Sequence, residues 1–331
     1  MEIKAADVAK LRQMTGAGMM DCKKALVEAE GDYERAKEII REKGKLVAAK
    51  RADRETSEGA VIAKVDGTKA IIVGLGCETD FVAKNAEFQA LAEAIAEAAI
   101  ASFPADKDAL MACVLADGRT VEAAVTEQTG KTGEKHVIVG YDVVEAPFIS
   151  AYMHKITGKL AAVVGFNKEF DAQVAKGVAM QVASMNPVAV SAESVPQSVI
   201  DTELKTATEK TKEELVQKAV DAALNKAGIN PAHVDSEAHI ESNTAKGWIT
   251  PEQAEQAREI IKTVSAEKAA NLPEQMVANI AKGRLQKFFK EQTLEEQGYQ
   301  MGDGKTPVKD VVKAADAEAK ILTFKRLSLA D

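Results

Sequence analysis

The sequence predicts an α+β protein: two small β-hairpins, each covered by a helix, flanked by all-helical segments. Three observations carry that expectation. Residues 64–74, KVDGTKAIIVG, and residues 155–165, KITGKLAAVVG, are similar stretches about ninety residues apart, each leading into helical periodicity. The first 44 residues show helical spacing punctuated by glycines, and from Pro196 to about Lys290 the composition shifts to Glu, Lys, Gln and Ala with helical periodicity. A hairpin leaves an apolar face that needs a helix laid across it, so the repeat implies a mixed core.

Taken in order, Val8 and Leu11 share a face of a first helix, which stops at Thr15-Gly16-Ala17-Gly18, where glycines permit a tight turn. A second helix runs from about Met19 to Ala29, with Cys22, Leu26 and Ala29 on one side. Gly31 is a terminator, and Asp32 can cap a third helix by accepting a bond from its free N–H groups. That helix buries Ala36, Ile39 and Ile40 and is expected to end at Gly44. So small a core suits docking better than chemistry. Residues 45–58 read as a polar linker in which Lys45, Lys50, Arg51 and Arg54 cluster, either solvated or a patch for an acidic protein surface.

GAVIAKV and AIIVGLG then flank Asp66-Gly67, a turn whose two central positions can both take positive φ. Asn85 can cap a helix carrying the stripe Phe88, Leu91, Ala92, Ile95 and Ala99. Residues 105–129 read as helical and 136–144 as a strand. The second copy runs from Tyr152 to Ile156, turns at Thr157-Gly158, continues as LAAVVGF and enters a helix from Asp171 to Ser184. Beyond it, Leu215, Ala219 and Ala223 share one helical stripe, as do Met276 and Ile280. Asn230-Pro231, Thr250-Pro251 and Leu272-Pro273 break this region into an antiparallel helical hairpin with extra helices near its tip. In the tail, Thr306-Pro307 opens a short helix, and ILTFKRLSL is a strand that can return to the core sheet.

The copies differ in one respect. The spacer from Gly74 to Asn85 is about five residues longer than that from Gly165 to Asp171. An added loop on a repeated scaffold is where function concentrates. This one contains Thr79-Asp80-Phe81-Val82, a carboxylate beside a large ring where solvent is expected.

Composition narrows the function classes. A net charge of −8 argues against a phosphate-backbone binder, and only 14 aromatic residues argue against base stacking, so no direct nucleic-acid contact is expected. Residues 1–55 hold 13 Lys and Arg against 11 Asp and Glu, which leaves −10 for the remainder. Three scattered cysteines suit a reducing, cytoplasmic setting, and neither a signal core nor a membrane-length apolar run is present in the sequence.

Bond-making chemistry finds little support. Cys77 and His154 stand near matching hairpin ends, but nothing orients the histidine or supplies an oxyanion site, and a small buried thiol is the better reading of Cys77. Gly302-Asp303-Gly304-Lys305-Thr306 imitates the end of a phosphate loop, yet Tyr299 occupies the earlier glycine position. Gly74 and Gly76 lack the third glycine of a dinucleotide loop, and the four histidines lack metal-ligand spacing. No cofactor or metal is called for.

Two segments, TGAGMMDCKKAL (residues 15–26) and TDFVAK (residues 79–84), resemble the elongation factor Ts family, exchange factors for the translational GTPase elongation factor Tu. The similarity covers residues 1–190 and resumes from about Gly283. It implies a UBA-like three-helix module with a basic linker (1–56), a core N-subdomain (57–145), a core C-subdomain (146–190 with 291–331) and a projecting helical or coiled-coil region (191–290). Residues 210–268 read as an insertion relative to shorter members. The resemblance further implies no covalent chemistry, binding to elongation factor Tu in its GDP-bound and nucleotide-free forms, and no membrane partner. It leaves open a homodimer through the long helices. Thr79, Asp80, Phe81 and Val82 would form the loop that dislodges the partner's Mg²⁺, with Met19, Met20 and Lys23 on its G domain. His154 would support that loop, and Met301 aligns with a hydrophobic contact, although Gly298-Tyr299-Gln300 replaces the more usual Gln-Pro-Phe-Val-like stretch before it. The alternative from another class is a passive adaptor that binds through Met19 and Met20.

Overall fold

The protein is described here by a computed structural model covering residues 3–330. It divides into two compact units, one running to Val190 and resuming at Leu294, the other spanning Ser191–Thr293.

In the first unit, α1 (Ala5–Thr15) stops on Gly16 at φ 67°, and α2 (Met19–Glu28) and α3 (Tyr33–Lys50) complete a core around Leu11, Cys22, Leu26 and Ala36. Asp32 caps α3, accepting from the N–H groups of Glu34 and Arg35 at 2.8 and 3.2 Å. The expected stop at Gly44 is wrong: α3 runs six residues further, which takes residues 45–50 out of the expected linker. Gly44 serves close approach instead. A Cβ there would lie 3.0 Å from the Thr126 carbonyl and 3.6 Å from Gly130 Cα.

β1 (Glu58–Asp66) and β2 (Lys69–Cys77) pair antiparallel with Asp66 opposite Lys69. The central turn residues are therefore Gly67 and Thr68, one position later than expected, and of the two only Gly67 takes positive φ, at 57°. The arrangement is that of a turn needing glycine at its first central position alone. After α4 (Asp80–Ala83) comes α5 (Ala86–Ser102), capped by Asn85, with Phe88, Leu91, Ala92, Ile95 and Ala99 all buried. The single helix expected over 105–129 is two, α6 (Lys107–Ala112) and α7 (Val121–Thr132). Between them Val114 pairs with Thr120 around Gly118, whose φ of 85° breaks the helix. β3 (Val137–Glu145) completes a sheet of order β1-β2-β3. Central β2 is buried on both faces, which explains its unbroken apolar run.

The second copy is β4 (Phe148–Met153), β5 (Leu160–Phe166) and α8 (Ala172–Met185). The chain then forms α9 (Gln197–Lys226), α10 (Glu237–Ala245), α11 (Pro251–Ala270) and α12 (Glu274–Gln292) in the other unit, and returns with α13 (Val308–Ala315) and β6 (Ile321–Ser328). β6 pairs with β5, so the tail strand completes a second, separate sheet of order β4-β5-β6.

The two sheets pack face to face through Val61, Ile72 and Val144 on one side and Ile149, Val163 and Leu329 on the other. Gly74 and Gly140, cross-strand partners, leave room for Leu327: Cβ atoms there would sit 3.0 and 2.5 Å from its methyl carbons. Of the two glycines set against a dinucleotide loop, Gly74 thus serves packing, and so does Gly76, where a Cβ would lie 2.6 Å from a Val139 methyl. α5 and α7 cover the outer face of the first sheet, and α8 and α13 pack in the core of the second.

In the helical unit, α9 packs against both α11 and α12. Val220 and Leu224 join Ile249, Ala254 and Ala257 in its core. The buried stripes lie one residue beyond those expected: Leu215, Ala219 and Ala223 flank the seam, and Val277 and Ala281 are buried where Met276 and Ile280 are exposed. A wedge centred on i, i+4 positions leaves the neighbouring row only half covered.

Candidate functional site

The seven residues after β2 form a braced tip. Thr79 caps α4, its hydroxyl accepting from the Val82 N–H at 3.4 Å. The same hydroxyl donates to Glu134 Oε1 at 2.7 Å, and the Thr79 N–H donates to Glu134 Oε2 at 3.1 Å. Glu78 accepts from the Lys135 N–H at 2.6 Å and takes both Arg51 contacts at 2.8 Å. Desolvation pushes the Glu78 carboxyl up, but the Lys135 N–H and the Arg51 guanidinium outweigh it and hold it below the usual range. At the far end Gln89 Nε2 donates to the Ala83 carbonyl at 2.5 Å, and Ala83 is buried.

Above these supports the chemistry changes. Asp80 faces Lys84 at 2.7 Å, and that hydrogen bond lowers its carboxyl from the ordinary value. Val82 packs against the first core, whereas Phe81 is 83% exposed. The tip therefore holds one ring out in water on a backbone tied down at both ends.

The other predicted residues stand on separate elements. Met19 and Met20, 51% and 64% exposed, form the first turn of α2 with exposed Lys23, while Cys22 points inward and Asp21 pairs with Lys43. Both methionines are thus surface residues rather than core. Met301 is 45% exposed on a turn whose Gln300 N–H donates to Gln181 Oε1 at 2.9 Å. The preceding Tyr299 is buried against Gly177, where a Cβ would collide with its hydroxyl. His154 bonds inside its own turn, Nδ1 to Thr157 Oγ1 at 3.0 Å. That turn reaches β1 through the Val61 N–H, which donates to the Gly158 carbonyl at 2.8 Å, and through the Lys159–Glu58 pair.

Cys77 is buried, and its thiol donates to the Thr79 carbonyl at 3.3 Å. Burial, together with the Glu134 and Glu58 carboxylates, pushes it up to about 12, so it stays protonated at neutral pH. The thiol is thus a poor nucleophile at neutral pH, and His154 bonds within its own turn, which removes the support for pairing Cys77 with His154. Asp303 accepts from the N–H groups of Lys305 and Thr306 at 2.9 and 2.8 Å, which makes the imitation phosphate loop a self-satisfied turn.

Glu78, Glu134, Arg51 and Lys135 went unrecognised in the sequence. Their partners lie 27 to 57 residues away, and no periodicity announces such pairs. Arg51 was visible only within a basic cluster that read as linker or docking patch.

An α+β scaffold that holds an acidic–aromatic tip rigid from below and bare above defines a surface-presenting protein. Comparison with known proteins identifies which kind. A sequence model of the family described as Elongation factor TS matches residues 78–235 and 216–331. The chain is 56% identical over 329 residues to an Elongation factor Ts of Phocaeicola vulgatus, 40% over 332 residues to one of Christiangramia forsetii, and 38% over 329 residues to one of Porphyromonas gingivalis, covering 99% of both chains each time. The chain belongs to the elongation factor Ts family, translation elongation factors by name. Because these alignments run nearly end to end, the segment 210–268 is shared with such relatives.

Proposed function

We propose that this protein binds elongation factor Tu carrying GDP and promotes GDP release, so that GTP can enter. Phe81 and Asp80 on the tip disturb the groups that order the partner's Mg²⁺, and without that cation the diphosphate loses its main counter-charge. Met19, Met20 and Lys23 contact the partner's G domain, with Met301 as a further hydrophobic contact. The domain division at residues 56, 145, 190 and 290 is part of the same reading, with the first module UBA-like. The observation that carries it is the exposed Phe81 on a backbone tied by Thr79, Glu78 and Gln89.

Magnitudes decide how the work divides. Nanomolar GDP is bound by about 12 kcal/mol. A ten-thousandfold faster release lowers the barrier by roughly 5.5 kcal/mol. Burying one phenylalanine contributes about 1.5–3 kcal/mol, so Phe81 acts as a wedge within a wider interface. Linkage makes the effect reciprocal: nucleotide weakens the factor as much as the factor weakens nucleotide, and incoming GTP ejects it. No covalent bond changes.

Release of fluorescent GDP from purified elongation factor Tu tests the reading. Substoichiometric protein should accelerate release and turn over; an unchanged rate would favour the passive adaptor.

A further inference from the structure

Among the described large apolar side chains, Ile156 at the apex of the β4–β5 turn is more exposed than Phe81, at 92%. Nothing local calls for isoleucine there. Turn positions favour Gly, Asn, Asp and Ser, which take the required backbone angles or bond to them, and a β-branched side chain does neither. A local rule broken without a packing gain is a mark of function.

The backbone beneath Ile156 is held firmly. The His154 N–H donates to the Leu160 carbonyl and the Gly158 N–H to the His154 carbonyl, both at 2.8 Å. His154 Nδ1 and Thr157 Oγ1 stand 3.0 Å apart. The Gly158 carbonyl accepts from Val61 of β1, and Lys159 pairs with Glu58. Glu58 is in turn the cross-strand partner of Cys77, whose thiol donates to the Thr79 carbonyl at the foot of α4. A short chain of contacts thus joins the turn bearing Ile156 to the helix bearing Phe81. Both combine a tied backbone with a bare apolar apex.

We propose that Ile156 is a second apolar contact with the GTPase partner, an anchor beside the Phe81 wedge, and that His154 is a positioning residue that holds its turn. The proposal rests on the exchange reading above. The partner surface it fits is an apolar depression next to the site the tip enters, because the contacts through Glu58 make the turn continuous with the tip. As an anchor, Ile156 contributes equally to the ground state and the transition state of exchange, so it governs affinity and not maximal rate.

The test titrates wild type, Ile156→Ser, Ile156→Leu and Phe81→Ala against elongation factor Tu loaded with fluorescent GDP, reading half-saturating concentration and plateau rate separately. Ile156→Ser should raise the half-saturating concentration about ten- to a hundredfold, the equivalent of losing one buried aliphatic side chain. Its plateau rate should stay within about twofold of wild type, and Ile156→Leu should restore the affinity. Phe81→Ala should lower the plateau. An unchanged half-saturating concentration for Ile156→Ser beside a slowed Phe81→Ala overturns the anchor and leaves the exchange reading standing, as does a fall in plateau alone. If wild type fails to accelerate release, the exchange reading falls and takes the anchor with it. For the positioning role, His154→Ala should weaken binding less than Ile156→Ser and add nothing on top of it; additive losses overturn that role.

Discussion

The two copies of the hairpin scaffold carry the same pair of residue types in the same connection and use it in opposite ways. Between β2 and α5 the pair is Asp80-Phe81; between β5 and α8 it is Glu169-Phe170. In the second copy the ring turns inward: Phe170 stands edge-on to Phe166 at 5.0 Å and to Phe148 at 6.0 Å. Asn167 closes that connection against the approach to β6, accepting from the Lys320 N–H at 2.7 Å and donating to the Glu318 carbonyl at 2.9 Å. The first copy inserts one helical turn, α4, and the ring turns out. An acid–aromatic pair is therefore core or surface according to the backbone beneath it. An exposed ring does little for its own fold, and under the proposed exchange function the braces below it hold it for the partner.

The contrast can be broken most decisively by truncating both rings. Phe170→Ala should destabilise the protein by about 2–4 kcal/mol in chemical denaturation, since it empties an aromatic cluster. Phe81→Ala should stay within about 0.5 kcal/mol of wild type; equal losses would erase the distinction. Glu134→Ala comes next, because it frees both Thr79 donors. It should cost about 1–3 kcal/mol and slow GDP release by loosening the tip, with Glu134→Gln intermediate.

Arg51→Ala should cost about 1 kcal/mol at neutral pH, with a definite pH signature. The Glu78 carboxyl is lowered in the folded chain, so its contribution is full above the ordinary value of about 4.5 and is lost as pH falls through the folded value. Wild type and Arg51→Ala should therefore converge in denaturation midpoint on acidification through that window; a constant gap would show that Glu78 is not the group involved. At the small end, Lys168→Ala removes a surface pair with Asp316 at 2.9 Å and should leave the denaturation midpoint indistinguishable from wild type, because solvent screens such a pair.

Much of this was legible before any coordinates. Alternation and turn glycines placed most of the paired strands, although β4 lies at Phe148–Met153 and not over the expected 152–156, and the capping residues Asp32 and Asn85 placed helix starts, because these signals are local. The failures share a cause. Gly44 reads as a terminator by propensity, yet it is a contact point for Gly130 some 86 residues on, and tertiary packing overrides propensity. The shifted stripes in α9 and α12 depend on where partner helices lie. At the candidate site the residues TDFV were conspicuous as an extra loop, whereas the carboxylates of Glu78 and Glu134 that immobilise it were invisible, being ordinary acids until the fold brings Thr79, Arg51 and Lys135 to them.

The most direct measurement compares wild type with Phe81→Ala in two assays on the same preparations: stopped-flow release of fluorescent GDP from elongation factor Tu, and equilibrium binding to the nucleotide-free partner. A wedge predicts that release slows by an order of magnitude or more while binding weakens much less. Equal losses in both would make Phe81 one more contact and contradict the mechanism.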